Sequence, residues 1–140
     1  MVVTDDARSF SWLLNNFVDE TAGVTDAVAV SSDGVLIARS ASVDHVQGEQ
    51  LCAIISGCAS LGTAADRALD NGGLERVIVA MQHGFLFVSV IADGSCLGVV
   101  ATRDCDVGSV GYHTTELVAR VGQLLTPTLR AELTELASSN

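Results

Sequence analysis

Residues 44–73 read DHVQGEQLCAIISGCASLGTAADRALDNGG, and the rest of the chain is organised around that stretch. Asp44 followed three residues later by Gln47 is a capping-box start, and Asn71-Gly72-Gly73 is a stop, so the spacing predicts one long helix. Leu51, Ile54, Ile55, Cys58, Leu61, Ala65 and Leu69 recur at three- and four-residue intervals, which puts them on one stripe expected to face a core. Ala53, Gly57, Ser60 and Ala64 form a second stripe, roughly opposite, of small side chains only. Gly inside a helix costs about 1 kcal/mol against Ala. A helix that carries Gly57 on such a stripe is expected to have another backbone close to it, and so to pack on two sides.

Working outward, residues 26–31 (DAVAVS) and 35–40 (VLIARS) flank Ser32-Asp33-Gly34. That is a hairpin signal, because Gly tolerates positive φ in a tight turn. Asp33 is therefore read as a turn residue, not a catalytic carboxylate. Beyond the helix, 75–81 (ERVIVAM), 85–92 (FLFVSVIA) and 95–102 (SCLGVVAT) are separated by His83-Gly84 and Asp93-Gly94, which predicts an antiparallel meander. Residues 77–81 are apolar at every position, so this strand needs cover on both faces or a pairing partner at its edge.

A first helix, capped by Thr4 or Asp5, carries Phe10, Leu13, Leu14, Phe17 and Val18 on one stripe, with Gly23 as its stop. Trp12 lies off that stripe and is read as a partly buried packing residue. Asp106 caps a later helix that buries Val107, Val110, Thr114, Leu117, Val118, Val121, Leu124 and Leu125. Pro127 after Thr126 suits a helix restart over 128–136, with 137–140 fraying. The order α-β-β-α-β-β-β-α predicts an α+β fold, a five-stranded antiparallel sheet with helices on both faces. No linker or repeat interrupts it. Residues 1–140 read as one domain with a core of about 5–125 and a short helical extension over 127–138.

The 140 residues carry a formal net charge of −10, and all seven basic residues are Arg. Nucleic-acid phosphates need a basic patch, so no nucleic acid is expected as a partner, and anionic membrane surfaces are disfavoured for the same reason. The start, MVVTDDARSF, lacks the basic and apolar regions of a secretory signal, and no apolar run reaches spanning length. The expectation is a cytoplasmic protein without membrane insertion, its four cysteines reduced. Cys52, Cys58, Cys96 and Cys105 have no C-x-x-C spacing, and His45, His83 and His113 no ligand spacing to them, so neither metal nor cofactor is expected. Cys58 lies on the apolar stripe, whereas Cys52 lies off it and is expected to be exposed. There is no phosphate-binding glycine motif, and Ser60 in GCASLG sits mid-helix, not on a nucleophile elbow. His113 and Glu116 read as a solvated helix pair. No catalytic residue is assigned, and the chain is not read as an enzyme.

The order of elements, the SSDGVLIA hairpin with the long helix after it, and the Asp93-Gly94 turn leading into CLGVVA resemble the roadblock / dynein light chain family. The likeness spans roughly residues 5–125 and is greatest to bacterial, actinobacterial-type members. It implies a profilin-like sandwich and a homodimer whose third strands join into one sheet while the long helices meet. On that basis Ala53, Gly57, Ser60, Ala64, Val77 and Val79 would lie at the dimer interface.

The resemblance also implies a Ras-like small GTPase as partner, with a sensor-kinase-like protein as a further associate. Cys52, Ser56, Thr63, Arg67 and Asp70 form the candidate partner strip. Some members accelerate GTP hydrolysis by rearranging the GTPase, without an arginine finger, and Arg67 beside Asp66 and Asp70 is read as a solvated charge. The resulting expectation is a non-catalytic homodimeric adaptor or regulator of a Ras-like small GTPase in bacterial signalling, modulation of GTP hydrolysis included. The alternative is a small-molecule sensor module of PAS or GAF type. It would need a pocket of several hundred Å³ between sheet and helix, with Thr114, Ser89 and the cysteines as polar groups.

Overall fold

The short connections and apolar runs build one antiparallel sheet, seen in a computed structural model that describes residues 5–138. The elements are α1 (Asp5–Glu20), β1 (Val24–Val30), β2 (Leu36–Arg39), α2 (His45–Leu69), β3 (Arg76–Met81), β4 (Gly84–Val90), β5 (Cys96–Thr102), α3 (Val107–Leu124) and α4 (Pro127–Ser138). The five strands lie in the order β2-β1-β5-β4-β3, so β2 and β3 are the two edges. The hairpin and meander form as expected, and Gly34 and Gly94 turn them with φ of 85° and 88°, a region open to Gly without steric cost.

The caps hold too: Asp44 accepts from the Gln47 N–H at 2.8 Å and Asp106 from the Ser109 N–H at 3.0 Å. Asp5 is the first residue of α1, and the alternative cap Thr4 lies outside the described residues.

Alternation along the strands sends side chains to two separate apolar layers. On one face, α1 and α3 pack Phe10, Leu14, Val110, Leu117 and Val121 against Phe87, Leu97 and Val99. On the other, α2 covers Val28, Val30, Leu36, Leu86 and Val88. The C-terminal helix belongs partly to both: Leu129 and Leu133 join the first layer and Ala137 the second. It packs along β2, and His45 Nδ1 at the start of α2 stands 3.1 Å from the Ala137 carbonyl. One sheet edge is thus covered by α4, and the β3 edge is left open among the described residues. Ala137 is buried inside this helix, not frayed, while 139–140 lie outside the described residues. Trp12 is 59% exposed, against the expectation that it is partly buried.

The long helix lies across the strands. Gly48 approaches Leu36 and Arg39 of β2, Ile55 meets Gly98 of β5, and Gly62 faces Leu74 and Val77 at the β3 side. Its buried residues are Gly48, Cys52 and Ile55, with Leu51, Cys58 and Ala59 half-buried beside them. The expected stripe is therefore corrected: Ile54, Leu61, Ala65 and Leu69 point to solvent. The helix is turned from the expected setting by less than the ~100° between successive residues. The cause is closeness. A Cβ on Gly98 would stand 2.2 Å from Ile55 Cδ1, so Ile55 fills the hole that glycine leaves and fixes the rotation. With the helix drawn that near the sheet, small residues fit beneath it and Ile54 and Leu61 do not.

Candidate partner interface

The outward side of α2 is mostly apolar. Ala53, Gly57, Ser60 and Ala64, the expected small-residue seam, are all exposed. Ile54, at 52% exposed, and Leu61, at 75%, stand on the same outward side. Among the described residues outside its own helix turn, nothing lies within 4 Å of a Cβ placed on Gly57. A polar solvated face would be the ordinary arrangement for an outward helix surface.

Beside the end of α2 lies the open sheet edge. All six residues of β3 pair with β4, and on the other side the strand has no neighbouring strand among the described residues. Ile78 and Met81 are each 46% exposed. Val77 and Val79 are half-buried against the α2 layer. Their side chains therefore face inward, and the strand offers its backbone, Ile78 and Met81 to a neighbour. An unpaired apolar edge of this kind is a ready template for another strand.

The expected partner strip is only partly brought together. Ser56, Thr63 and Arg67 line one groove of about 430 Å³ between α2 and the β1–β2 and β4–β5 turns, together with Ser31, Ser32 and Gly94. Ser60 and Ala64 line it as well, so the seam and the partner strip adjoin. Arg67 is the one basic side chain in that lining and makes no ion pair among the described residues.

Two expected members fall away from the groove. Cys52 is 3% exposed and belongs to the layer under α2, which corrects the exposed thiol expected from its position off the stripe. Burial, aided by the nearby Glu49 charge, pushes its thiol up to about 11. Asp70 is exposed but acts as the left-handed end of α2 (φ 52°), its N–H donating to the Asp66 carbonyl.

The other candidate positions have local partners. Asp33 accepts from the Ser31 hydroxyl, which holds its carboxyl below the usual range and marks it as the turn residue expected. His113 and Glu116 form a 3.3 Å pair with both side chains about half exposed. Among the described residues no group of His, Cys, Asp and Glu has a metal-holding arrangement. No helix among them is long and apolar enough to cross a membrane. The residues that sequence reasoning missed are Ile54, Leu61 and Leu69 as surface groups, together with Ile78 and Met81. The signal that could have found them is the small size of Gly48, Cys52, Ala59 and Gly62, which marks the close-packed side of the helix.

A family model described as Roadblock/LC7 domain matches residues 10–101. Among solved structures, a Roadblock/LC7 domain from Streptomyces avermitilis is 33% identical, with a TM-score of 0.75, covering 79% of this chain and 92% of that one. MglB of Myxococcus xanthus aligns over 91% of this chain and 98% of its own, with a TM-score of 0.77 at 10% identity. Profilin IA of Acanthamoeba castellanii shares the fold more distantly, with a TM-score of 0.52 at 16% identity over 81% of this chain and 97% of its own. No curated protein matches the chain.

Proposed function

The chain belongs to the Roadblock/LC7 family, and from that premise we propose that it is a homodimeric adaptor or regulator of a Ras-like small GTPase, without catalytic groups of its own. The observation that carries this reading is the juxtaposition of an open β3 edge with the outward apolar side of α2. A two-fold axis through β3 would pair the strand antiparallel with its copy and satisfy the unpaired backbone of both. The same axis would bring Gly57, Ile54 and Leu61 of each protomer toward the twin helix. Full burial of a Leu or Ile side chain is worth roughly 1.5–3 kcal/mol, and symmetry counts each one twice.

The polar groove of Ser56, Thr63 and Arg67 then runs along the rim of the paired helices, and it is the surface we assign to the GTPase. A sensor-kinase-like protein is the further associate that family likeness suggests. Regulation is exerted through the GTPase, with Arg67 as a solvated charge on the rim of the groove. The test is to mix the protein with Ras-like GTPases of its own organism and follow both co-elution and phosphate release. Co-elution with an unchanged rate identifies an adaptor, and co-elution with a faster rate an activator. If no such GTPase co-elutes in either nucleotide state, the reading is wrong.

A second reading, a sensor module of PAS or GAF type, draws support from one specific feature. A cavity of about 420 Å³ lies between β3, β4 and α3 and includes Ser89.

A further inference from the structure

That cavity lies on the sheet face opposite α2, and among the described residues its only basic group is Arg76 at the start of β3. Three neutral acceptors hold the guanidinium. Its Nε donates to Ser89 Oγ at 3.1 Å, and its Nη2 to the Gly111 carbonyl at 3.0 Å and to Thr115 Oγ1 at 2.9 Å. Among the described residues no carboxylate pairs with it, and Nη1 has no hydrogen-bond partner. Gly111 makes room for that nitrogen: a methyl there would stand 2.9 Å from Nη1. In a chain with 17 acidic side chains to seven Arg, a fixed guanidinium without a counter-charge is not explained by an internal ion pair. The acid in the lining, Glu75, is exposed. The rest of the wall is largely apolar and includes Leu74, Ile91, Ala92 and Val118.

We propose that this cavity binds a small aliphatic carboxylate, its charge on Arg76 Nη1 and its chain against Ile91 and Val118. Arg suits the task because the two Nη1 hydrogens, not used by these three bonds, can donate charge-assisted bonds to a carboxylate. The three existing bonds fix the fork beforehand, so little side-chain freedom is lost on binding. A mainly apolar pocket with a few fixed polar groups is the usual form of a small-molecule site. The inference rests on neither the dimer nor the GTPase, and it supplies a chemical input to whichever regulatory role the protein has.

The test is an NMR titration of the full chain with hexanoate, and with hexanol as the uncharged probe of equal tail. Hexanoate should give saturable shifts confined to Ser89, Ala92, Thr115 and their neighbours, and hexanol should not. Arg76→Met should weaken binding at least about tenfold, the order expected for a lost charge-assisted bond. Because Arg76 also ties β3 to α3, Ala92→Glu is the companion variant. It places a carboxylate at an exposed position of the lining to compete for Arg76, and should weaken binding similarly while thermal unfolding stays at the wild-type temperature. Hexanol binding as well as hexanoate, unlocalised or absent shifts, or an Ala92→Glu protein that binds normally would each overturn the proposal. Inorganic phosphate matching hexanoate would overturn the assignment to an aliphatic carboxylate.

Discussion

Gly98 and Gly57 separate the stability of the protomer from its association. Gly98→Ala drives a methyl to 2.2 Å from Ile55 Cδ1, and overpacking of that kind typically costs about 1–3 kcal/mol. The expected result is a lower denaturant midpoint. A Cβ added at Gly57 meets no described atom outside its own helix turn within 4 Å, so Gly57→Leu should leave the circular dichroism spectrum unchanged while dimer affinity falls. Unaltered association in that variant would remove Gly57 from the interface.

Cys52 offers a pH test. Its folded pKa, about 11, lies above the ordinary 9.0, so between those values the unfolded chain releases a proton that the folded one keeps. Its contribution is full below pH 9 and is lost as pH rises toward 11. Urea unfolding over that range should show falling stability, with a shallower fall in Cys52→Ala. A thiol reagent at pH 8 should reach the half-buried Cys58 and Cys105 in the native protein before the buried Cys52 and Cys96.

Among the elements, α3 was legible and α2 was only half so. In α3 the expected positions Val110, Thr114, Leu117 and Val121 are buried, because large apolar residues meet the large residues of α1 and β4 there. The strands and turns were readable for a similar reason: Asp-Gly and His-Gly pairs interrupt β-branched runs, and the register follows. In α2 the apolar count favoured the wrong side. Hydrophobicity alone cannot separate a stripe that packs beneath a helix from one that awaits a partner, and the deciding feature, the hole at Gly98, comes from another strand. The candidate site was legible to the same partial degree. Ser56, Thr63 and Arg67 share a groove, whereas Cys52 went to the core with the rotated face. This rotation predicts that Leu61→Glu leaves the protomer folded, since the side chain is largely exposed, and abolishes dimerisation by burying two charges near the axis. Unfolding of that variant would return Leu61 to the core.

At the scale of the whole molecule, the two sheet edges are treated differently. β2 lies under α4, which joins both apolar layers through Leu129, Leu133 and Ala137. Leu133→Ala should therefore cost about 2–5 kcal/mol, as other buried leucine truncations do, measurable as a lower denaturant midpoint. The β3 edge has no such cover among the described residues, and the proposed dimer joins two copies along it. The most direct test is the mass of the wild-type protein in solution, by light scattering at micromolar concentration. A homodimer through β3 and α2 predicts twice the 14.5 kDa of one chain, falling to the single-chain mass in Leu61→Glu. A wild-type protein that scatters as a clean monomer would contradict it.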